Sequence, residues 1–284
     1  MIDLKQDAAT IIRVNQRFDE LIARHKEDLL SRIKDDPQRV TIRYYLKVVR
    51  ELCTQGCGCF PVQAYSTLEA LSRGIMEQSA NMLYVSIDDG ENVRALLRSS
   101  KTLTESNGKS WVAYLAENGL ENPAAQARQE NGAMMREEFD KRWPKVDRYP
   151  GGKGLFAAIG WENAYYAFYS PLCDSVHSFS DDLSNLVSIS EVFAESQEFA
   201  EELLRYTENE RRRLATYHYA MAIGLRAEAF GKICTVVDLT LDQKEVDNIF
   251  GDLYSLLDRH ENFDSTRLSE LNAGERVLKD FLVN

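Results

Sequence analysis

The sequence predicts an all-α protein, a multi-helix bundle of roughly eight to ten helices around one core. Three observations predict this class. Apolar residues recur at three- and four-residue steps along most of the 284-residue chain. The one alternating stretch, from Ile233 to Leu239, is too short and isolated to need a sheet. The connections are short, which favours antiparallel neighbours. We therefore expect a single helical domain over residues 1–284, with one candidate subdivision near residues 144–153.

The first three helices are predicted to pack as antiparallel neighbours. The first covers residues 7–33, where apolar side chains form one stripe. The second begins at the Asp-Asp-Pro sequence of residues 35–37 and ends at an interhelical turn that contains Gly56 and Gly58. The third has Pro61 in its first turn and is ended by the Asp-Asp-Gly sequence at 88–90.

The later helices are less sharply bounded. Trp143-Pro144 and residues 149–152 mark a loop between two helical regions. Asp242, followed three residues later by Glu245, resembles a helix-capping start. These helices are expected over residues 93–115, around Met134 and Phe139, over 155–187, over 193–230, from 242 onward, and finally toward Phe281.

Composition limits the classes of function. The net charge of −11 opposes non-specific attraction to nucleic acid or to anionic lipid, because that attraction needs a positive field. No run of about 18 apolar residues is present, so no membrane partner is expected. The N-terminal stretch is amphipathic and acidic and does not resemble a signal peptide, which predicts a cytoplasmic protein.

The cysteines are five in number and are expected to be reduced thiols. Cys53, Cys57 and Cys59 lie close enough in sequence to suggest a metal site, but no second Cys or His pair follows at a zinc-like spacing. The glycines between them fit an interhelical turn equally well. The sequence predicts no metal and no cofactor.

The first candidate site combines two helical segments about ninety residues apart. Arg73 and Glu77 are four residues apart and share a helix face. His177 closes an aromatic-rich segment that begins near Tyr169. A guanidinium, a carboxylate and an imidazole that meet in one interior can satisfy one another's charges and hydrogen bonds. Such an imidazole can also serve as a general acid or base.

The same residues resemble a widespread prokaryotic family of uncharacterised all-helical proteins. Its members place an Arg-x3-Glu helix before a Tyr-x2-Leu-Ser-x3-His segment, and here these are Arg73-x3-Glu77 and Tyr169-x2-Leu172-Cys173-x3-His177. The chain departs from the pattern at Cys173, where the family prefers serine. The resemblance covers about half of the chain, and it implies a helical fold and a meeting of Arg73, Glu77 and His177 rather than a reaction.

The second candidate site is Arg213-x4-His218, which is similar to the loose Arg-x4-6-His pattern of HEPN helical ribonucleases. In that chemistry histidine transfers a proton as the RNA 2′-hydroxyl attacks, and arginine stabilises the phosphate charge. Arg211 lies almost two full turns from His218 and shares its helix face better than Arg213 does. This resemblance implies RNA as the substrate and a homodimer as the assembly. The alternative is that the arginines and nearby glutamates form a solvated helix surface.

Other polar and aromatic groups are given structural roles. His25 and His260 are expected to be exposed, and the glycine-rich residues 151–154 are expected to be a turn rather than a phosphate loop. The aromatic side chains of Trp161, Tyr165, Tyr166, Phe168 and Tyr169 are expected to be core.

Two functions of different class follow from the sequence. The first is a HEPN-like, metal-independent ribonuclease, or a stress or phage-defence effector, with His177 or His218 as the acid–base group. The second is a non-catalytic binding or regulatory module, in which Arg73, Glu77 and His177 hold the helices in register and the acidic surface engages a protein partner. The two differ in exposure, because an enzyme must expose its imidazole in a cleft.

Overall fold

The computed structural model describes residues 2–173, 187 and 197–272. These residues confirm an all-α multi-helix bundle, and no strand occurs among them. The helices in chain order are α1 (Leu4–Arg32), α2 (Asp36–Cys59), α3 (Tyr65–Tyr84), α4 (Glu91–Glu117), α5 (Pro123–Arg142), α6 (Gly152–Ala158), α7 (Glu162–Ala164), α8 (Gln197–Val236) and α9 (Gln243–Asn272). A π-helical turn, Tyr165–Tyr169, directly follows α7. Helical geometry then continues to residue 173.

The first two helices begin at aspartate caps. The Asp3 carboxylate accepts the backbone N–H groups of Lys5 and Gln6 at 3.1 and 3.0 Å. The Asp35 carboxylate accepts the backbone N–H of Gln38 at 2.9 Å, and a proline stands in the first turn of α2. These bonds satisfy backbone donors that have no partner inside the helix, so the local sequence fixes where both helices begin.

The predicted interhelical turn at Gly56 and Gly58 is wrong, because α2 continues through both residues to Cys59. Gly56 instead lets α8 approach. A Cβ atom at Gly56 would overlap the ring of Tyr219, whose hydroxyl donates to the backbone oxygen of Cys53. Gly58 has open space around it. Gly56 is therefore needed for close helix packing rather than for a turn. In sequence, glycines in these two roles look alike.

The main core is centred on α8, which packs against α3, α1 and α9. Phe18 of α1 meets Phe230 of α8 and Phe250 of α9 edge-on, with ring centroids 5.8 and 5.0 Å apart. Burial of these three rings joins α1 to α8 and α9. The alternating stretch that begins at Ile233 forms the end of α8 and the turn after it, as the sequence analysis favoured.

The helices α4 and α5 pack mainly against each other, and we call this helical hairpin the arm. A Cβ atom at Gly108 would lie 2.7 Å from the Cα of Gln129, and one at Gly132 would lie 2.9 Å from the Cα of Glu105. The two backbones therefore meet through glycine. A small second cluster of apolar side chains, which includes Ala95 and Phe139, lies at the base of the arm.

None of the described helices combines the length and the apolar character that crossing a bilayer requires.

Candidate functional site

The π-helical turn Tyr165–Tyr169 links the two candidate sites of the sequence. Tyr169 contacts Arg73 and Glu77 of α3, while its neighbour Phe168 contacts His218 of α8, with ring centroids 6.4 Å apart. A π-helix widens the turn by one residue and is frequent at functional sites. The two sequence motifs therefore belong to one region, which we call the α3–α8 site.

The centre of the α3–α8 site is a polar cluster around Glu77. The Tyr169 hydroxyl donates to Glu77 Oε2 at 3.0 Å, and Arg73 Nη2 lies 3.9 Å from the same oxygen. Arg73 Nε donates to Cys173 Sγ at 3.2 Å, and its guanidinium lies over the Tyr169 ring, 5.7 Å from the centroid. The two segments therefore contact each other at Tyr169 and Cys173.

Further tyrosines surround this cluster. The Tyr149 hydroxyl donates to Asn81 Oδ1 at 2.6 Å, one helical turn beyond Glu77. Burial and the nearby Glu77 charge raise the pKa of Tyr149 to about 12. Burial and the same charge also raise the pKa of Tyr169, and burial together with Tyr149 raises that of Tyr45. All three hydroxyls stay protonated and can donate hydrogen bonds.

Arg73 remains partly open to solvent. Its side chain is 25% exposed and that of Glu77 is 39% exposed, and their ion-pair distance is long. The guanidinium therefore keeps donor capacity for an incoming anion. His177, the third member expected from sequence, lies outside the described residues.

His218 lies in a mostly apolar setting formed by Phe168 and Tyr217. Burial, with a smaller contribution from the Arg213 charge, lowers its pKa to about 4. Its buried Nδ1 atom has no hydrogen-bond partner among the described residues. The imidazole is therefore neutral near pH 7 and offers an unused nitrogen.

Arg213 has a different environment from Arg73. It is 2% exposed and donates to both carboxylate oxygens of Glu210, at 2.9 and 2.7 Å. It also donates to Asp264 at 2.6 Å and lies over the Phe263 ring. These contacts hold the guanidinium between carboxylates inside the bundle, where an arginine of this kind fixes the position of α9 against α8.

The expectation that His260 is exposed is wrong, because its ring is completely buried. Its Nε2 lies 3.1 Å from Asp7 Oδ2, and its Nδ1 lies 3.5 Å from Arg213 Nη1. A carboxylate only accepts and a guanidinium only donates, so Nε2 carries a proton and Nδ1 accepts. The signal was present in the sequence, since Leu253, Leu256 and His260 follow one helical stripe. His25 is half-buried rather than exposed.

Arg226 is, like Arg213, a buried arginine, and the sequence analysis did not identify it. It donates to Asn15 at 2.8 Å and to Asp19 at 2.5 Å, and it lies over the Phe18 ring. Its neighbours at three and four residues on either side are apolar, which is the signal that places this position in the core. This network joins α8 to α1.

The aromatic residues from 161 to 169 are mostly core, as expected. Trp161 and Tyr169 are buried, and Tyr165 and Phe168 pack against the core. Tyr166 is the exception, since it is 55% exposed and lies beneath the Lys153 ammonium. The glycine-rich residues 151–154 form the start of α6, with positive φ at Gly151.

Two more arginines stand near the α3–α8 site. Arg211 donates to the hydroxyl of Ser66, which lies seven residues before Arg73 on the same face of α3. Arg212 lies over the ring of Tyr65 at the start of α3. Both arginine side chains are about one-third exposed. Two further guanidinium groups, both paired with Glu208, therefore lie near the start of α3.

Within the described part of the chain, no group of three or more His, Cys, Asp and Glu side chains is arranged to hold a metal ion. The five cysteines are free thiols, and burial raises the pKa of Cys53 to about 11. No protein-family model, curated protein or solved structure matches the chain.

Proposed function

We propose that this chain is a metal-independent ribonuclease that acts at the α3–α8 site, through Arg73 rather than through the Arg213-x4-His218 pattern that resembles HEPN ribonucleases. The observation that carries the proposal is the contrast between its two candidate arginines. Arg73 is partly exposed and loosely paired, whereas Arg213 is buried between two carboxylates. Phosphate binding needs available donors, so the proposal assigns that role to Arg73.

The reaction proposed is transfer of the phosphoryl group within RNA. The 2′-oxygen forms a bond to phosphorus as the bond from phosphorus to the 5′-oxygen breaks, which leaves a 2′,3′-cyclic phosphate and a 5′-hydroxyl. Glu77 accepts the proton of the 2′-hydroxyl, and Arg73 stabilises charge on the phosphoryl oxygens. His177, assigned from sequence alone, returns a proton to the leaving 5′-oxygen.

The net charge of −11 opposes RNA binding, so a local positive region must offset it. Arg211 and Arg212 support this role, because both lie against the start of α3 and keep about one-third of their side chains open, although they share Glu208 as an ion-pair partner. We expect weak binding that falls steeply with salt. Arg73, Arg211 and Arg212 would then position the RNA backbone, and Glu77 would select the reacting hydroxyl.

The test is cleavage of a single-stranded RNA by the wild-type chain in the presence of EDTA, with analysis of the product ends. We expect cyclic phosphate ends, and a loss of about 100-fold or more for Arg73→Ala, the scale on which one charge-stabilising donor contributes. Glu77→Gln should lose a comparable factor. Lys47→Ala, an exposed cation on α2, is the control and should cleave at the wild-type rate.

A DNA analogue that lacks the 2′-hydroxyl should remain intact. Cleavage of that analogue, dependence on a divalent ion, or full activity of Arg73→Ala would each contradict the proposal.

The second candidate function is the helical binding or regulatory module. The observation that favours it is that Arg73, Glu77, Tyr169 and Cys173 already contact one another, as a network that only fixes helix positions would. In that case wild-type protein leaves RNA intact, while Arg73→Ala lowers the free energy of unfolding by about 1 to 3 kcal/mol.

A further inference from the structure

The arm formed by α4 and α5 exposes an unusual amount of apolar side chain. Six large apolar residues on it are between 37% and 61% exposed, and these are Leu103, Trp111, Tyr114, Leu120, Met134 and Met135. At 100° per residue, Leu103, Trp111 and Tyr114 fall within about 80° of the circumference of α4. They therefore form one outward stripe rather than scattered exposed positions.

The packing inside the arm explains why these side chains point outward. The two helices meet backbone to backbone at Gly108 and Gly132, where a Cβ atom would be 2.7 and 2.9 Å from the opposite main chain. Contact this close leaves no room between the helices for large side chains. At this glycine crossing the arm consequently holds no large apolar side chain between its helices; Phe139 is buried at the base of the arm, and the six large apolar residues lie outside.

The charge of the arm differs from that of the rest of the chain. Residues 91–142 contain eight basic and eight acidic side chains, so the net charge of −11 resides entirely outside them. Two copies of the chain repel each other through their bodies, whereas two arms can approach without like-charge repulsion. Net like charge therefore does not oppose contact between two arms.

We propose that the arm is a dimerisation surface, on which the arms of two copies pack into a four-helix layer. The exposed apolar area of the arm is large enough for contact with a second copy of the chain. With about 200 Å² for a fully exposed large side chain, the six residues offer roughly 600 Å² per copy, or roughly 1,200 Å² for two, the lower bound of stable interfaces. A twofold axis would place the same stripe on both sides of the contact. This inference does not rest on the proposed ribonuclease function.

The test is the solution mass of the full chain, measured by light scattering and by sedimentation between about 1 and 100 μM. We expect wild-type protein to approach twice the 32.4 kDa of one chain. The double variant Leu103→Glu with Tyr114→Glu should stay monomeric over this range, because it places four carboxylates in the shared contact. Both positions are exposed, so far-UV circular dichroism should show an unchanged helix content.

The matched control is Val40→Glu with Val62→Glu, two equally exposed apolar positions outside the arm, which should dimerise as the wild type does. A wild-type chain that stays monomeric at 100 μM overturns the proposal, and so does a monomer that instead binds lipid vesicles through the arm. A dimer that survives the arm substitutions, or that the control also abolishes, overturns it as well. RNA cleavage is assayed separately on each variant, so failure of the two proposals can be told apart.

Discussion

Tyr169 donates a hydrogen bond of 3.0 Å to Glu77 across 92 positions of sequence. This bond joins the π-helical turn to α3 and brings the Arg73 guanidinium over the Tyr169 ring. The same π-helical turn also holds Phe168 against His218. Two neighbouring residues of the turn, Phe168 and Tyr169, thus connect two sequence motifs that lie far apart along the chain.

The Tyr169 hydroxyl is expected to contribute to stability as well as to position. Tyr169→Phe removes one hydrogen bond to a charged acceptor, so the free energy of unfolding should fall by about 1 to 2 kcal/mol in urea denaturation. Tyr166→Phe, at the exposed neighbouring ring, is the control and should change it by less than about 0.5 kcal/mol. Equal effects from the two substitutions would show that the bond to Glu77 is not what matters.

Two glycines of α2 should respond in opposite directions to alanine. At Gly56 the added methyl group meets the Tyr219 ring, so Gly56→Ala should destabilise the chain by about 1 to 3 kcal/mol. At Gly58 nothing lies in the way, so Gly58→Ala should stabilise the helix by about 0.5 to 1 kcal/mol. Thermal unfolding of both variants measures the contrast. A stabilising Gly56→Ala would contradict the close approach of α8 to α2.

The depressed pKa of His218 predicts a pH dependence of stability. The folded imidazole has a pKa of about 4 against about 6.5 when unfolded, so the unfolded state binds the proton first as pH falls. Stability is then unaffected above about pH 6.5 and is lost progressively down to about pH 4, by about 3 kcal/mol from this group. His218→Gln should flatten this part of the profile relative to wild type. His25→Gln is the control, and the same flattening there would contradict the assignment.

The buried carboxylate of Asp7 should be among the most sensitive positions outside the α3–α8 site. Asp7 accepts from His260 at 3.1 Å and from Arg259 at 2.5 Å, and it is completely buried. Asp7→Ala leaves both partners without their acceptor, so the free energy of unfolding should fall by about 3 to 5 kcal/mol. Asp252→Ala, which removes an exposed ion pair with Arg13, should cost at most about 1 kcal/mol. Denaturant titration distinguishes the two.

The fold class could be predicted from sequence because it depends on periodicity. The apolar stripe of α1 and the aspartate-capped start of α2 are local properties, so their boundaries lie within a few residues of the expected ones. The glycines of α2 were misassigned for a physical reason. A glycine that admits a neighbouring ring and a glycine that ends a helix have the same local sequence, and only the position of Tyr219 separates them.

The site could be predicted only in part. Arg73 and Glu77 share a helix face, so their proximity follows from spacing alone. The contrast between Arg73 and Arg213 does not, because it depends on Glu210, Asp264 and His260, and the last two lie on another helix. The apolar neighbours of Arg226 predict its burial. Its partners on α1 lie more than 200 residues away in sequence, so local sequence does not predict them.

The measurement that tests the account most directly is a paired comparison of Arg73→Gln and Arg213→Gln, each examined for unfolding and for cleavage of single-stranded RNA. The account predicts that Arg73→Gln unfolds within about 1 kcal/mol of wild type yet loses cleavage by about 100-fold or more. Arg213→Gln should instead unfold about 3 to 5 kcal/mol more easily, because Glu210 and Asp264 lose their shared partner. An Arg73→Gln chain that cleaves RNA at the wild-type rate would contradict the account.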